Sequence, residues 1–108
     1  MANIFKNSIT GSIGTTNTIV YRVPNSTSTT VIGMNVANVV DNNITINATI
    51  TSGSSTVYLV KNSTIPVGGS IVLIGGDQKL VLTSNNYLSV SSSIASSADV
   101  VVSVLEIS

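Results

Sequence analysis

The sequence predicts an all-β protein: an antiparallel β-sandwich of jelly-roll or immunoglobulin-like type with eight or nine short strands. Of the 108 residues, 42 are Val, Ile or Thr, the β-branched types that favour strands. Short apolar runs recur along the chain and are separated by turn-forming Gly, Asn, Asp, Ser and Pro. No stretch has helical periodicity, so helix-backed folds are disfavoured.

The first two strands flank a segment rich in Gly, Ser and Thr. We predict strands over residues 4–9 and 19–23, with Pro24 ending the second. Residues 8–17 between them contain Gly11 and Gly14, a composition too flexible for a core strand, so they are predicted to form an arm. The domain prediction is an N-terminal strand or arm over residues 1–18 that can form an interface, followed by a single β-sandwich domain over residues 19–108.

The middle of the chain contains the clearest period-2 pattern. Residues 44–51 alternate apolar and polar side chains for four repeats, which is typical of a half-buried strand. A β-branched run over residues 29–40 precedes it, and the turn residues at 41–43 lie between the two. The two runs are therefore predicted to pair as an antiparallel hairpin. Gly33 and Asn35 interrupt the first run and indicate a bulge or a close backbone approach.

Five shorter strands complete the prediction, and each is bounded by turn residues. They are expected over residues 56–60, 71–74, 79–82, 87–90 and 100–107. The last of these is apolar on both faces apart from Ser103 and Glu106. A strand with two apolar faces is typical of the interior of a sheet, so we expect it to be central.

The charge content excludes several classes of function. Four Lys and Arg residues balance four Asp and Glu residues, so no basic field attracts nucleic acid. Only 7% of the residues are charged, against about 25% in a typical soluble domain, which indicates surfaces covered by neighbouring subunits. The longest uninterrupted apolar runs have four residues, and no membrane partner is expected. No secretory signal is recognisable, so synthesis without export by that route is expected.

The sequence contains few candidates for catalytic residues. The chain lacks His and Cys, which removes histidine acid–base catalysis, thiol nucleophiles and the usual zinc or haem ligands. A serine nucleophile would need Lys6, Lys61 or Lys79 as its base, and no Ser-x-x-Lys motif is present. We therefore predict no enzyme activity, no catalytic residue, no cofactor and no metal.

The four acidic residues are interpreted structurally. Asp41 and Asp77 lie in predicted turns, where Asp bonds its own backbone, while Asp99 and Glu106 are expected to be surface or interface charges. The Gly-Gly-Asp sequence at residues 75–77 shares letters with glycine-rich calcium repeats. A single copy is weak support, because those sites need a repeated motif and about six oxygen ligands.

Three tyrosines, Tyr21, Tyr58 and Tyr87, are the candidates for contact with a glycan or a partner. An aromatic ring offers an apolar face with a polar tip, which suits sugars. The alternative is an ordinary core or rim position, because strands favour aromatic residues. A carbohydrate-binding or adhesin module would require an exposed aromatic ring beside a polar cleft.

The candidate interface residues lie near the start of the chain: Ile4, Phe5, Ile9 and Ile13. An edge strand and a flexible arm are places where a second subunit can pair with the first. Core packing is the alternative for Ile4 and Phe5. Ile9 and Ile13 lie beside glycines, so we expect contact with a neighbour there.

Seven segments together resemble small virion structural proteins of tailed bacteriophages, especially phages of cyanobacteria and marine bacteria. The N-terminal segments are NIFKN (3–7), VYRVPNSTSTT (20–30) and MNVAN (34–38). The C-terminal segments are YLVKN (58–62), IPVGG (65–69), GDQKLVL (76–82) and DVVVSVLEI (99–107). The resemblance covers most of the chain. One departure is an Asn pair at residues 85–86, where such proteins often have Ala-Gly-Asp or Pro-Gly-Asp; the turn should persist because Asn tolerates the left-handed conformation.

The resemblance implies a non-enzymatic structural protein of a virion, made in the host cytoplasm. It favours a capsid decoration or cement protein attached to the particle surface. A tail, collar, baseplate or fibre-attachment component is the alternative, with a carbohydrate-binding or adhesin module after these. The implied partners are further copies of the chain, as a homo-oligomer such as a trimer, and other virion proteins.

Overall fold

Nine strands build two antiparallel sheets in the computed structural model, which describes residues 3–75 and 78–108. The predicted all-β sandwich is confirmed, and no helix occurs in those two ranges. The strands are β1 (Asn3–Ile13), β2 (Thr18–Arg22), β3 (Ser28–Asn38), β4 (Ile44–Ser52), β5 (Ser55–Ile65), β6 (Ser70–Ile74), β7 (Leu80–Leu82), β8 (Tyr87–Ser92) and β9 (Ala98–Ile107).

The strand order decides between the two predicted sandwich types. One sheet has the order β1-β9-β3-β6 with β7 also paired to β3, and the other has the order β2-β8-β4-β5. The antiparallel pairs β1–β9, β2–β8, β3–β6 and β4–β5 are therefore nested, and they alternate between the sheets. A long hairpin rolled up in this way is a jelly roll.

The predicted hairpin between residues 29–40 and 44–51 is wrong. These runs form β3 and β4, which lie in different sheets: β3 pairs with β9, β6 and β7, whereas β4 pairs with β5 and β8. The interruptions inside β3 do mark irregularities. The register shifts between Val31 and Gly33 against β9, and between Met34 and Asn35 against β6.

The segment predicted as an N-terminal arm continues a framework strand. β1 runs to Ile13 and pairs with β9, forming one edge of the five-stranded sheet. Between Thr10 and Ile13 the partner strand advances by only two residues, so β1 contains a bulge. Ser12 has a φ of 56° there, and its amide donates to the Asp99 carboxylate at 3.1 Å.

The edge strand β5 is also longer than predicted. Residues 61–64 belong to the strand rather than to a turn, and Asn62 has a φ of 53° at an irregularity in its pairing with β4. The short turns agree better with the sequence. Asn85 has a φ of 69°, as expected for an Asn in the position where related turns use Gly.

The hydrophobic core lies between the inner faces of the two sheets. Alternate residues of each strand point inward, so β9 contributes Val100, Val102 and Val104, while β4 contributes Ile44 and Ile46. β9 lies between β1 and β3, which confirms that the last strand is central.

Candidate interaction surfaces

The outward side of the five-stranded sheet is apolar and is called the apolar face below. Its exposed large side chains are Phe5, Ile9, Val72, Val81 and Val101. Pairing registers place them in two cross-strand rows, because directly opposite residues share a face. One row is Phe5–Leu105–Thr30–Val81 and the other is Ile9–Val101–Asn35–Val72. Phe5 is 75% exposed and Ile9 73%, so the part of the chain that the structure describes leaves them largely uncovered.

The four predicted interface residues separate into three environments. Phe5 and Ile9 lie on the apolar face, and Ile4 lies half-exposed on the opposite side of β1. Ile13 is 1% exposed and belongs to the core, so the structure corrects its predicted interface position. The reason is the β1 bulge: one extra residue after Thr10 turns Ile13 to the inner side, opposite Ala98.

Two shallow hollows open on the apolar face. The first, of about 190 Å³, lies beside Gly33, which has no side chain to fill it, and is bounded by Val72 and Val101. The second, of about 390 Å³, lies between Phe5 and Ile32. An apolar surface with hollows of this size can accept protruding side chains of another subunit.

A polar cluster at one end of the sandwich links the two sheets. Glu106, on the central strand, is 6% exposed, and its Oε1 lies 3.0 Å from the Lys6 Nζ. The Tyr21 hydroxyl of the other sheet donates to the Glu106 Oε2 at 2.6 Å and lies 2.9 Å from the Thr29 Oγ1. Sequence reasoning expected Glu106 to be a surface or interface charge. It is instead a buried carboxylate satisfied by its neighbours.

Glu106 and Tyr21 of this cluster have shifted pKa values. The hydrogen bond from Tyr21 lowers the pKa of Glu106 below its ordinary 4.5, assisted by Lys6 and opposed by burial. Burial and the bond to Glu106 raise the pKa of Tyr21 to about 12. The two shifts agree, since each favours an ionised Glu106 carboxylate that accepts a hydrogen bond from the neutral Tyr21 phenol.

The outward side of the four-stranded sheet is called the polar face below. Asn47, Thr49 and Thr51 of β4 lie on it beside Ser89 and Ser91 of β8. A depression of about 320 Å³ opens on it, lined by Asn17, Asn47, Thr49, Thr56, Tyr58 and Ser91. The hydroxyl oxygens of Thr49 and Ser89 are buried and have no hydrogen-bond partner among residues 3–75 and 78–108.

The three tyrosines occupy different places. Tyr58 is 54% exposed and lines the depression, with the Lys61 Nζ 5.3 Å from its ring centroid. Tyr87 lies on the same face, half-buried under the Arg22 guanidinium at 4.5 Å. Tyr21 points inward and its hydroxyl is bonded within the polar cluster. The structure therefore brings Tyr58 and Tyr87 to one face and places Tyr21 elsewhere.

Among residues 3–75 and 78–108, no group of three acidic side chains is placed to hold a metal ion. Gly76 and Asp77, which carried the calcium hypothesis, lie outside the described residues. The same part of the chain contains no helix long and apolar enough to cross a membrane.

Two features of these surfaces were not predicted. The polar cluster depends on a contact between positions 21 and 106, which no local pattern reveals. The unpaired hydroxyls of Thr49 and Ser89 depend on the registry of β4 with β8. One indication of the second feature was present in the sequence: polar side chains alternate with apolar ones over residues 44–51. This alternation identifies a polar face of the strand but does not show what covers that face.

Comparison with known proteins shows the same fold in structural assemblies. A chain of the acid-stable capsid of Helicobacter pylori bacteriophage KHP30 matches with a TM-score of 0.57 at 8% identity, covering 100% of this chain and 94% of that one. A chain of the T13 viral particle of IBDV matches with a TM-score of 0.54 at 9% identity, covering 96% of this chain. This protein spans only 35% of that IBDV chain.

A third similar structure comes from Bacillus endospore appendages, described as disulfide-linked pili. Its TM-score is 0.52 at 13% identity, with 98% of this chain and 88% of that chain covered. This sequence has no Cys and cannot form such a link. No protein-family model matches the sequence, and a search of curated proteins gives no match. At these identities the likenesses establish the shared jelly-roll fold.

Proposed function

We propose that this protein is a non-enzymatic structural subunit of a tailed-phage virion, which self-associates and attaches to the particle through its apolar face. A capsid decoration or cement protein is the placement we favour, with a tail, collar, baseplate or fibre-attachment component as the alternative. The observation that carries the proposal is the alignment of five exposed apolar side chains on one sheet. The fold shared with two viral capsid chains and the sequence resemblance to virion proteins support it.

The apolar face has the properties of a protein interface rather than of a solvated surface. Its rows reach every strand of the sheet, from the β1 edge to β6 and β7, and their polar members are Thr30 and Asn35 on β3. Monomeric proteins seldom expose large contiguous apolar patches. The centre of a typical interface is depleted of charge and rich in aromatic and aliphatic anchors, as Phe5, Ile9 and Val72 are here.

The edge strand β1 adds a second route for contact. It lies at the end of its sheet, and from Asn3 to Thr10 its pairing with β9 is regular, so its other side presents backbone groups to a possible neighbour. Lys6, the charged residue of this strand, forms an ion pair with Glu106 and so does not oppose pairing of the edge with another strand. A further copy of the chain, as in a closed trimer, would cover both the edge and the adjacent apolar face.

The primary test is the mass of the purified chain by light scattering behind a sizing column over a concentration series. We expect an oligomer that dissociates on dilution. Replacing Val72 by Ser should weaken association about tenfold, because a buried valine contributes roughly 1.5 kcal/mol to an interface. Phe5→Ser should weaken it more, since exposed aromatic side chains are frequent anchors.

Val57→Ser is the matched control. Val57 is 59% exposed, close to the 67% of Val72, but it lies on β5 of the other sheet. The Val57→Ser variant should associate as strongly as the parent chain. A parent chain that stays monomeric at every concentration would refute self-association. Equal weakening by V57S and V72S would show that the apolar face is not the contact.

The virion role needs a separate measurement. Mass spectrometry of purified particles of the phage that encodes the chain should detect it in many copies per particle. Labelling with antibody fragments should then place it on the head if it is a decoration protein, and on the tail or baseplate if the alternative is right. Absence from purified particles would refute the virion assignment.

A further inference from the structure

We propose that the polar face is a binding site for a neutral polysaccharide chain, centred on the depression beside Tyr58. This inference concerns the four-stranded sheet, on the opposite side of the sandwich from the apolar face, and does not rest on the proposed assembly role. It rests on three properties of the face: its shape, its uncharged polar lining and its unpaired buried hydroxyls.

The depression lies at one end of a row of side chains that crosses the sheet. The registers place Ile19, Ser89, Thr49 and Tyr58 in this row across the four strands. Ile19 at one end and Tyr58 at the other are 45% and 54% exposed, while Ser89 and Thr49 between them are buried. The depression opens beside Thr49 and Tyr58, where it leaves room for part of an extended ligand.

The neighbouring row has an aromatic ring at a central position. Arg22, Tyr87, Thr51 and Thr56 lie side by side, with Tyr87 under the Arg22 guanidinium. The face thus presents two aromatic rings about a floor of hydroxyl side chains. Each ring has a cation over it, which fixes its orientation and lowers the entropy lost when it contacts a ligand.

The depression is lined by uncharged hydrogen-bonding groups. Asn17, Asn47, Thr56 and Ser91 line it with Tyr58 and Thr49, and none of these six is Asp, Glu, Lys or Arg. The Asn47 Oδ1 accepts the amide of Asn62 at 2.9 Å, so its Nδ2 group remains as the donor of that side chain. Donors and acceptors without charge, beside an aromatic ring, suit the hydroxyl groups and the apolar faces of neutral sugars.

The unpaired hydroxyls indicate a ligand rather than a purely structural face. Thr49 is 8% exposed and Ser89 1%, and neither hydroxyl oxygen has a partner. A buried polar group without a hydrogen bond is destabilising, and an apolar residue would avoid that cost. Thr49 also lines the depression, and rotation about its χ1 by about 120° moves its hydroxyl to another staggered position. A sugar hydroxyl could then pair with it.

The test uses affinity electrophoresis of the full chain in gels containing dextran, laminarin, galactomannan or xylan, with alginate as the anionic comparison. We expect retardation by at least one neutral polysaccharide. Tyr58→Ala should weaken that binding at least tenfold, and Tyr58→Phe should retain most of it because the ring remains. Tyrosine fluorescence provides a second measurement, since the chain has three Tyr and no Trp. The ligand-induced change should disappear in Y58A.

Val57→Ala is the control for local disturbance of β5, because Val57 adjoins Tyr58 but does not line the depression. It should bind like the parent chain, and circular dichroism should show all three variants folded. The proposal is overturned if the parent chain is retarded by none of the four neutral polysaccharides, or by alginate alone. It is also overturned if Val57→Ala weakens binding as much as Tyr58→Ala.

Discussion

The two outer faces of this sandwich differ although both enclose the same core. On the five-stranded sheet, outward positions of the central strand β9 carry Val101 and Leu105. On the four-stranded sheet, outward positions of β4 carry Asn47 and Thr49. A sheet needs only its inner face to fold, so the outer residues are free to serve other purposes. The difference supports the proposed protein contact on the first side and the proposed polar ligand on the second.

This contrast between the two faces predicts how the molecule is oriented in an assembly. If the apolar face contacts the particle or another copy, the polar face with its Tyr58 depression points away from that contact. Assembly and ligand binding would then use opposite sides and would not compete. The following three predictions test this division, from the largest expected effect to the smallest.

The first compares an inward with an outward leucine. Leu88 is fully buried on the inner side of β8, and Leu88→Ala should destabilise the chain by about 3 kcal/mol through the cavity it leaves. Leu105→Ala on the apolar face should cost less than about 1 kcal/mol in dilute monomer, because its side chain contributes little to the core. Urea unfolding at low protein concentration measures both. Equal costs would mean that the apolar face is covered within the chain.

The second concerns the polar cluster that links the sheets. Glu106→Gln should lower stability by about 2 kcal/mol near neutral pH, because it weakens the bonds to Lys6 and Tyr21. The folded pKa of Glu106 is lowered, so its contribution is present above the ordinary value of 4.5 and is lost as the pH falls through the folded pKa. The difference between variant and parent should therefore shrink below about pH 4.5.

Denaturant unfolding across a pH series would show this convergence. Lys6→Met serves as the companion variant, because Lys6 is half-exposed and should contribute less than Glu106. A stability difference between Glu106→Gln and the parent that stays constant down to strongly acidic pH would contradict the assigned direction of the Glu106 pKa.

The third prediction is a gain of stability on the polar face. Ser89→Ala should stabilise the chain by about 1 kcal/mol, because its buried hydroxyl has no partner. Ser97 is the matched control, equally buried but with its hydroxyl bonded to Ile94 and Ser92. Ser97→Ala should destabilise by a similar amount, as thermal unfolding would show. If both substitutions destabilise, the Ser89 hydroxyl is paired in solution and no longer distinguishes the polar face.

Local patterns predicted the strands well, for a physical reason. Alternation along β4 and turn residues around β8 are properties of neighbouring positions, so the sequence displays them directly. Pairing is a property of distant positions. The pattern of β3 and β4 determines which side of each strand is apolar but not which strand lies beside it, and the predicted hairpin failed for that reason.

The candidate surfaces were predicted unevenly for the same reason. Phe5 was a candidate because it lies on a predicted edge strand, with core packing as the alternative, and Ile9 because it lies beside glycines; both side chains are exposed. The direction of Ile13 could not be recognised, because it depends on a bulge at which the Ser12 amide bonds to Asp99, 87 positions further along the chain. Tyr58 was a candidate from its residue type alone. The depression beside it depends on how distant strands pair, which the sequence does not show.

The pairing of β1 with β9 has a consequence for the timing of assembly. Asn3 lies opposite Ile107, so this pair joins the first described residues to nearly the last. A ribosome releases Phe5 and Ile9 well before their row partners Leu105 and Val101. The apolar face is thus incomplete on a nascent chain. Closing so long a loop also slows folding, which further separates synthesis from association.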